Sequence, residues 1–385
     1  MESVKLAIRN ALRHRLRTGL TVLGLIVAIL AFGLLQTVVD AWYAGAESAS
    51  NTRLITRNAI SLVFPLPITY RDKIRRVPGV TDVSLANWFG GVYISEKNFF
   101  PQFAVDPTTY FKLYPEYLVP EEQMKSFLRD RKGAIVGRKL ADAYGFKVGD
   151  VVPLRGTIYP GTWSFVVRGI YDGAEKGTDT SQFFFHWDYL NETVKRTAPR
   201  RADNTGICIV QIAAPELAAE VAGDIDREFK NSLAETLTET EKAFQLGFVA
   251  MTEALVIAIR IVSFLVIFII LAVMANTMAM TARERTSEYA TLKALGFGPG
   301  FLSRLIFGES LAIALAGGMA GIALTFPVAD AFAQRMGTLF PVFNVSRETI
   351  WMQMVAALVV GCAAAIVPAV RASRVRIAEG LRAIG

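Results

Sequence analysis

Few residues in this 385-residue chain combine a type and a spacing that could do covalent chemistry. Ser181, His186 and Asp188 are the only local echo of a nucleophile, base and orienting acid, and such triads are recognised by roles in space, which sequence proximity does not show. His14 and His186 are the only histidines, and Cys208 and Cys362 the only thiols, so no cluster with zinc-ligand spacing exists. A phosphate-cradling G-x-x-x-x-G-K-[ST] loop is absent; Gly296-Phe297-Gly298-Pro299-Gly300 lacks its spacing and follows a helical pattern, so it reads as a break between elements. The chain is expected to be non-catalytic, with no metal and no cofactor-binding residue of its own.

The chemistry that the sequence does offer is docking. In Arg283-Glu284-Arg285-Thr286-Ser287-Glu288-Tyr289-Ala290-Thr291-Leu292-Lys293-Ala294-Leu295-Gly296, Glu284 and Glu288 fall on one helical side at i,i+4. Leu292 and Leu295 form an apolar patch, and Gly296 stops the helix. A short amphipathic rod joined rigidly to its neighbours can enter a partner's groove. The same pattern also suits a plain solvated connector.

What must position such a rod is a set of membrane spans. The chain is 52% hydrophobic and 19% charged, with a mean hydropathy of +0.37, more apolar and less charged than soluble domains usually are. No residue is ionisable between Arg17 and Asp40, Arg260 and Arg283, Glu309 and Asp330, or Glu348 and Arg371. Each gap is about 20 residues, enough at about 1.5 Å per residue to cross a hydrocarbon core as a helix. The first apolar run precedes Ala44-Gly45-Ala46, which has the form of a cleavage site, but it is longer than a signal-peptide core and is read as an uncleaved helix.

Charge orients the spans. Lys5, Arg9, Arg13, Arg15, Arg17, Arg283, Arg285, Lys293, Arg304, Arg371, Arg374, Arg376 and Arg382 lie in three short segments beside only four glutamates, so the formal charge of +7 is concentrated there. Lys and Arg gather on the cytoplasmic side, which puts both termini inside. Basic charge is here a topology signal and not a sign of nucleic acid. The expected order is a cytoplasmic amphipathic helix over 1–17, a first span over 18–43, an extracytoplasmic α+β domain with stalk over 44–240, stalk and second span over 241–282, and a coupling segment over 283–301. A third span over 302–329, a short outer loop over 330–348, a fourth span over 349–370 and a cytoplasmic tail over 371–385 complete it. Cys208 outside and Cys362 within a span then cannot pair.

Val151 to Leu154, Phe165 to Ile170 and Gly206 to Ile212 read as strands from their β-branched content, and Glu121 to Asp130, Arg138 to Tyr144 and Pro215 to Phe229 as helices. Leu237, Phe244, Phe248, Met251 and Leu255 follow sevens, fours and threes, a coiled-coil-like seam that extends the second span outward as a stalk. Glu253 and Arg260, seven apart, either line a protein interface or snorkel into interfacial water. Gly317 and Gly321 form a G-x-x-x-G pair that lets helices approach closely.

Arg285-x-x-Glu288-Tyr289-Ala290-x-Leu292-Lys293-Ala294-Leu295-Gly296 resembles the coupling segment of MacB/FtsX-type (type VII) ABC transporter permeases, the group that includes the lipoprotein-releasing LolC and LolE. The stretch from Pro368 to Arg382 is similar to that family's tail, and Ala7 to Leu25 to its start. Val77 to Val80, Gly137 to Ala141 and Gly145 to Asp150 resemble its periplasmic core domain, so the likeness covers nearly the whole chain. Tyr289-Ala290 stand where the family has Ile-Gly, and Ile377 where it has proline.

The resemblance implies an α-helical membrane protein with four transmembrane helices in 1+3 order and an inserted extracytoplasmic α+β domain of the MacB periplasmic core type, in a bacterial inner (plasma) membrane. It implies a separate ABC ATP-binding subunit that holds ATP and Mg, and a second permease copy or a homologous permease. A periplasmic adaptor or substrate-binding partner and membrane lipids complete the expected partners. Arg285, Glu288, Tyr289, Leu292, Lys293, Leu295 and Gly296 would couple to the ATPase, and mechanotransmission through the stalk would extract or export a lipoprotein, lipid, peptide or drug. FtsX-like signalling to a cell-wall hydrolase is the rival in the same fold; a receptor or anchor without an ATPase is the rival from another class.

Overall fold

The computed structural model describes residues 15–175, 177–336, 340 and 342–375. Most of the expected amphipathic helix over 1–17 and the tail from Arg376 onward lie outside the described residues. The chain divides into two compact units: 1–40, 253–335 and 343–385 form one, and 41–252 with 336–342 the other.

The first unit holds the candidate spans. Four helices are long and apolar enough to cross a membrane, within Arg15–Glu47, Glu253–Glu284, Pro299–Met336 and Arg347–Arg374. They meet at small residues. A Cβ on Gly317 would lie 2.7 Å from Leu25 Cδ2, and one on Gly321 would lie 2.9 Å from Ile29 Cβ and 3.0 Å from the Ile26 carbonyl. The first and third helices therefore touch where Cβ atoms are missing, the reason small residues at this spacing sit in helix interfaces. Gly318 meets Ala357, Gly361 meets Ala314, and the Ser310 hydroxyl donates to the Gly361 carbonyl at 2.6 Å, which joins the third helix to the fourth. Gln353, fully buried, donates to the Ile29 carbonyl and to Thr325 Oγ1 at 2.9 Å each, so one amide bridges the first, third and fourth helices.

The second unit is built on a mixed sheet. Its strands are β1 (Arg53–Asn58), β2 (Leu66–Pro67), β3 (Val80–Trp88), β4 (Gly91–Val92), β5 (Gln102–Val105), β6 (Tyr117–Leu118), β7 (Gly133–Gly137), β8 (Val151–Gly156), β9 (Gly161–Gly173), β10 (Phe183–His186), β11 (Asn204–Thr205), β12 (Ile207–Ile212) and β13 (Thr236–Thr240). The order is β13-β1-β12-β3-β5-β10-β7-β9-β8-β4, with β6 pairing β9 and a separate β2/β11 pair. Pairing is antiparallel except at β5/β10 and β7/β9.

Burial periodicity separates the edge from the centre. In β8 exposed and buried residues alternate strictly, as in a strand packed on one face only. In β10 all four residues are buried: Phe183 and Phe185 enter one core, Phe184 the other. The unbroken Phe183-Phe184-Phe185 and Ile207-Cys208-Ile209-Val210 runs are thus the sequence mark of strands covered on both faces. Helices Thr69–Ile74, Arg138–Tyr144, Trp187–Thr197 and Ala218–Glu228 cover one face, and Tyr110–Leu113 with Glu121–Arg129 the other. Arg138–Tyr144 ends at Gly145 with φ +71°, the left-handed cap that only glycine takes without strain.

One expectation is overturned here. Leu237 lies in β13 and not on a helix, opposite Arg57 of β1, so it cannot begin a helical seam. Strand pairing with β1, reinforced by the Thr56–Thr238 hydroxyl contact at 3.0 Å, outweighs the heptad-like spacing.

Candidate functional site

The Arg283–Gly296 segment is two helices with a joint. Helix Glu253–Glu284 ends one residue before Arg285, whose φ −103° and ψ 18° leave the helical region, and Thr286–Ala294 starts anew. Glu284 and Glu288 therefore belong to different helices and do not share a face. Glu284 receives a bidentate pair from Arg17 at 2.7 and 2.8 Å, while Glu288 accepts from Arg285 Nε at 3.0 Å. The short helix closes with Gly296 at φ +93°; its N–H donates to the Lys293 carbonyl and the Phe297 N–H to the Leu292 carbonyl, both at 3.0 Å. This is a Schellman cap, and Pro299 follows at the first turn of the next helix.

Arg285 is the centre of the site. It is buried and donates from a terminal nitrogen to Glu309 Oε2 at 2.9 Å, Glu309 being buried within Pro299–Met336. Burial opposes the charge on Arg285, and Glu309 and Glu288 more than offset it, so its pKa is raised. Burial also pushes the Tyr289 hydroxyl up to about 12. Lys293 Nζ donates to the Ser373 and Val375 carbonyls at 2.8 Å each, at the C-terminus of Arg347–Arg374. The short helix is thus fastened to the third long helix by Arg285 and to the fourth by Lys293.

The exposed face differs from the expected one. Tyr289 and Ala290 are buried, and Leu292 packs on the helix cluster. Leu295 is 71% exposed, and its apolar neighbour in the open is Phe297, 42% exposed, with its ring 4.7 Å from that of Phe301. Leu292 and Leu295 therefore differ, the first packed on the helices and the second open, and the exposed apolar side chains at this end are Leu295 and Phe297.

The stalk residues separate likewise. Helix Glu241–Met251 stops at Thr252, and Glu253–Glu284 begins again beyond it. Within the outer unit, Phe244 packs on the core containing Phe184 and lies edge-on to Phe248 at 5.1 Å, while Phe248 and Met251 are exposed. Trp42 Nε1 donates to Thr252 Oγ1 at 2.7 Å. On Glu253–Glu284, Leu255, Glu253 and Arg260 are exposed, and no ion pair joins the two charges among the described residues.

Sequence reasoning used Glu309 only as a span boundary. An acidic residue at the end of an apolar stretch demands a partner, and the arginine just past the previous span was the available one. Arg53, which joins Glu116 and Glu241, had no signal of its own.

Residues 18–228 match the family described as MacB-like periplasmic core domain, and residues 260–377 the family described as FtsX-like permease C-terminal. No curated protein matches the chain. Among solved structures, the extracellular domain of the noncanonic ABC-type transporter YknZ from Gram-positive bacteria is similar at 12% identity and TM-score 0.36, over 49% of this chain and 100% of that one. The periplasmic region of MacB from Actinobacillus actinomycetemcomitans is similar at 9% identity and TM-score 0.37, over 52% of this chain and 94% of that one.

Proposed function

We propose, since this chain belongs to the MacB/FtsX-type family of ABC permeases, that it carries ATP-driven motion from a separate ATP-binding subunit to its inserted domain and so extracts or exports a hydrophobic or periplasmic substrate. Permeases of this family work with ATP-binding subunits. The subunit docks on Leu295 and Phe297, at the end of the Thr286–Ala294 rod, on the cytoplasmic side of a bacterial inner membrane. The observation that carries the reading is the fastening of that rod: Arg285 reaches Glu309 at 2.9 Å and Lys293 reaches Ser373 and Val375 at 2.8 Å. A push on a rod held at both ends moves the helices it is held to, whereas a solvated connector would swing freely. The first and second long helices continue in the chain directly into the inserted domain, which gives the motion its route.

The test is purification of the full chain with its ATP-binding subunit in lipid nanodiscs. Transport predicts that a hydrophobic cargo stimulates ATP hydrolysis and leaves the bilayer when ATP is added. Capture of a cell-wall hydrolase or its activator as the sole partner, with no cargo released, would overturn the transport reading in favour of signalling.

A further inference from the structure

The two chain ends of the inserted domain meet at one buried guanidinium. Arg53 opens β1, six residues after helix Arg15–Glu47 ends, and Glu241 opens the helix Glu241–Met251 that leads toward the second span. Arg53 Nε donates to Glu241 Oε2 at 2.8 Å, and the same oxygen accepts from the Ser50 N–H at 2.9 Å. The two terminal nitrogens of Arg53 fork onto Glu116 at 2.6 and 3.1 Å, and one also donates to the Leu113 carbonyl at 2.8 Å. The guanidinium carbon lies 4.1 Å from the centroid of the Tyr114 ring. One side chain therefore joins the strand that follows the first long helix, the start of helix Glu241–Met251 and the segment 113–116.

The two arms of this junction differ. Arg53 and Glu241 are 4% and 5% exposed, whereas the Glu116 side chain is 28% exposed. Separating a buried pair leaves an uncompensated charge, while water can replace a partner at the surface. The Glu241 arm is the permanent one, and the Glu116 arm can yield and re-form. Glu116 stands between Pro115 and Tyr117, and both of these line a cavity of about 550 Å³ with Phe111, Leu118, Met124 and Asp172.

We infer that Arg53 is a positioning residue through which displacement of the two helix-bearing ends reaches the 113–118 segment and sets the shape of the cavity it walls. The inference rests on the reading that ATP-driven motion enters the domain at those ends.

The experiment uses the full chain with its ATP-binding subunit in nanodiscs, with Cys208 and Cys362 replaced by alanine. Spin labels at Glu47 and Lys242 report the two ends, and labels at Lys112 and Lys242 report the 113–118 segment against one of them. ATP is expected to shift both distances. Glu116→Ala leaves the Arg53–Glu241 arm and the Leu113 carbonyl contact intact but removes two of the three hydrogen bonds from Arg53 to residues 113–116; it should keep the first shift and lose more than half of the second, and Glu116→Gln, which retains an acceptor, should lose less. Both shifts intact in Glu116→Ala would overturn the inference alone. No ATP response between Glu47 and Lys242 in the parent chain would overturn the premise and the inference with it.

Discussion

The ammonium of Lys293 caps the last long helix: its Nζ lies 2.8 Å from the carbonyl oxygens of both Ser373 and Val375. The last carbonyls of a helix have no intrahelical donor, and a cation there also meets the negative end of the dipole. Lys293→Met removes both contacts and should cost about 1.5–3 kcal/mol, the range for hydrogen bonds to charged groups. The check is the thermal midpoint of the chain in nanodiscs, which should fall, with Lys293→Arg restoring most of the loss.

The Arg285–Glu309 pair is buried on both sides. Arg285→Met or Glu309→Leu alone takes one partner from a buried ion pair and should cost up to about 3–5 kcal/mol, while the double replacement recovers part of it. Midpoints of the two single variants and the double variant, measured together, separate this from two independent losses, which would add.

Gly321 faces Ile29, with the Ile26 carbonyl 3.0 Å from where a Cβ would stand. Gly321→Val should lower stability by about 1–3 kcal/mol through overpacking. Gly300→Ala is the control, since nothing lies within 4 Å of its Cβ position, and it should be neutral or slightly stabilising. Unfolding midpoints of the two variants give the comparison.

Cys208 is fully buried in β12, and burial pushes its thiol up to about 12 from an ordinary 9.0. At pH 8 a maleimide reagent should leave Cys208 unmodified until the domain unfolds; Cys362, which lies within the fourth span, is replaced by alanine so that only Cys208 is read. The linkage sign follows: the raised pKa contributes stability that is fully present below 9.0 and is lost as pH rises toward about 12. Mass spectrometry of labelled peptides, native against denatured, reads the first effect, and a comparison of the alkaline stability of Cys208→Ala with the parent reads the second.

The four long apolar helices were legible because a run without ionisable residues favours a helix that satisfies its own backbone, and Arg138–Tyr144 because its apolar residues recur at helical spacing. Of the doubly buried strands, Ile207–Ile212 was read from its β-branched content, whereas Phe183–His186, built on phenylalanine, was not read as a strand. The joint at Arg285 was not legible either, because a helical pattern continues through it, and the partner held there, Glu309, is 24 residues away. Leu237 misled for the converse reason: its spacing to Phe244 is local, while its strand partner Arg57 is 180 residues earlier. Contacts of this range leave no trace in periodicity, which is why Lys293 was named but its partners, Ser373 and Val375, were not.

In the proposed assembly the exposed end of the fastened rod receives the ATP-binding subunit. The most direct measurement of that docking is the affinity between the nanodisc-embedded chain and that subunit, for the parent chain and for Leu295→Asp/Phe297→Asp. The double variant should associate at least tenfold more weakly with an unchanged unfolding midpoint; equal affinities with both proteins folded would rule out docking at this end.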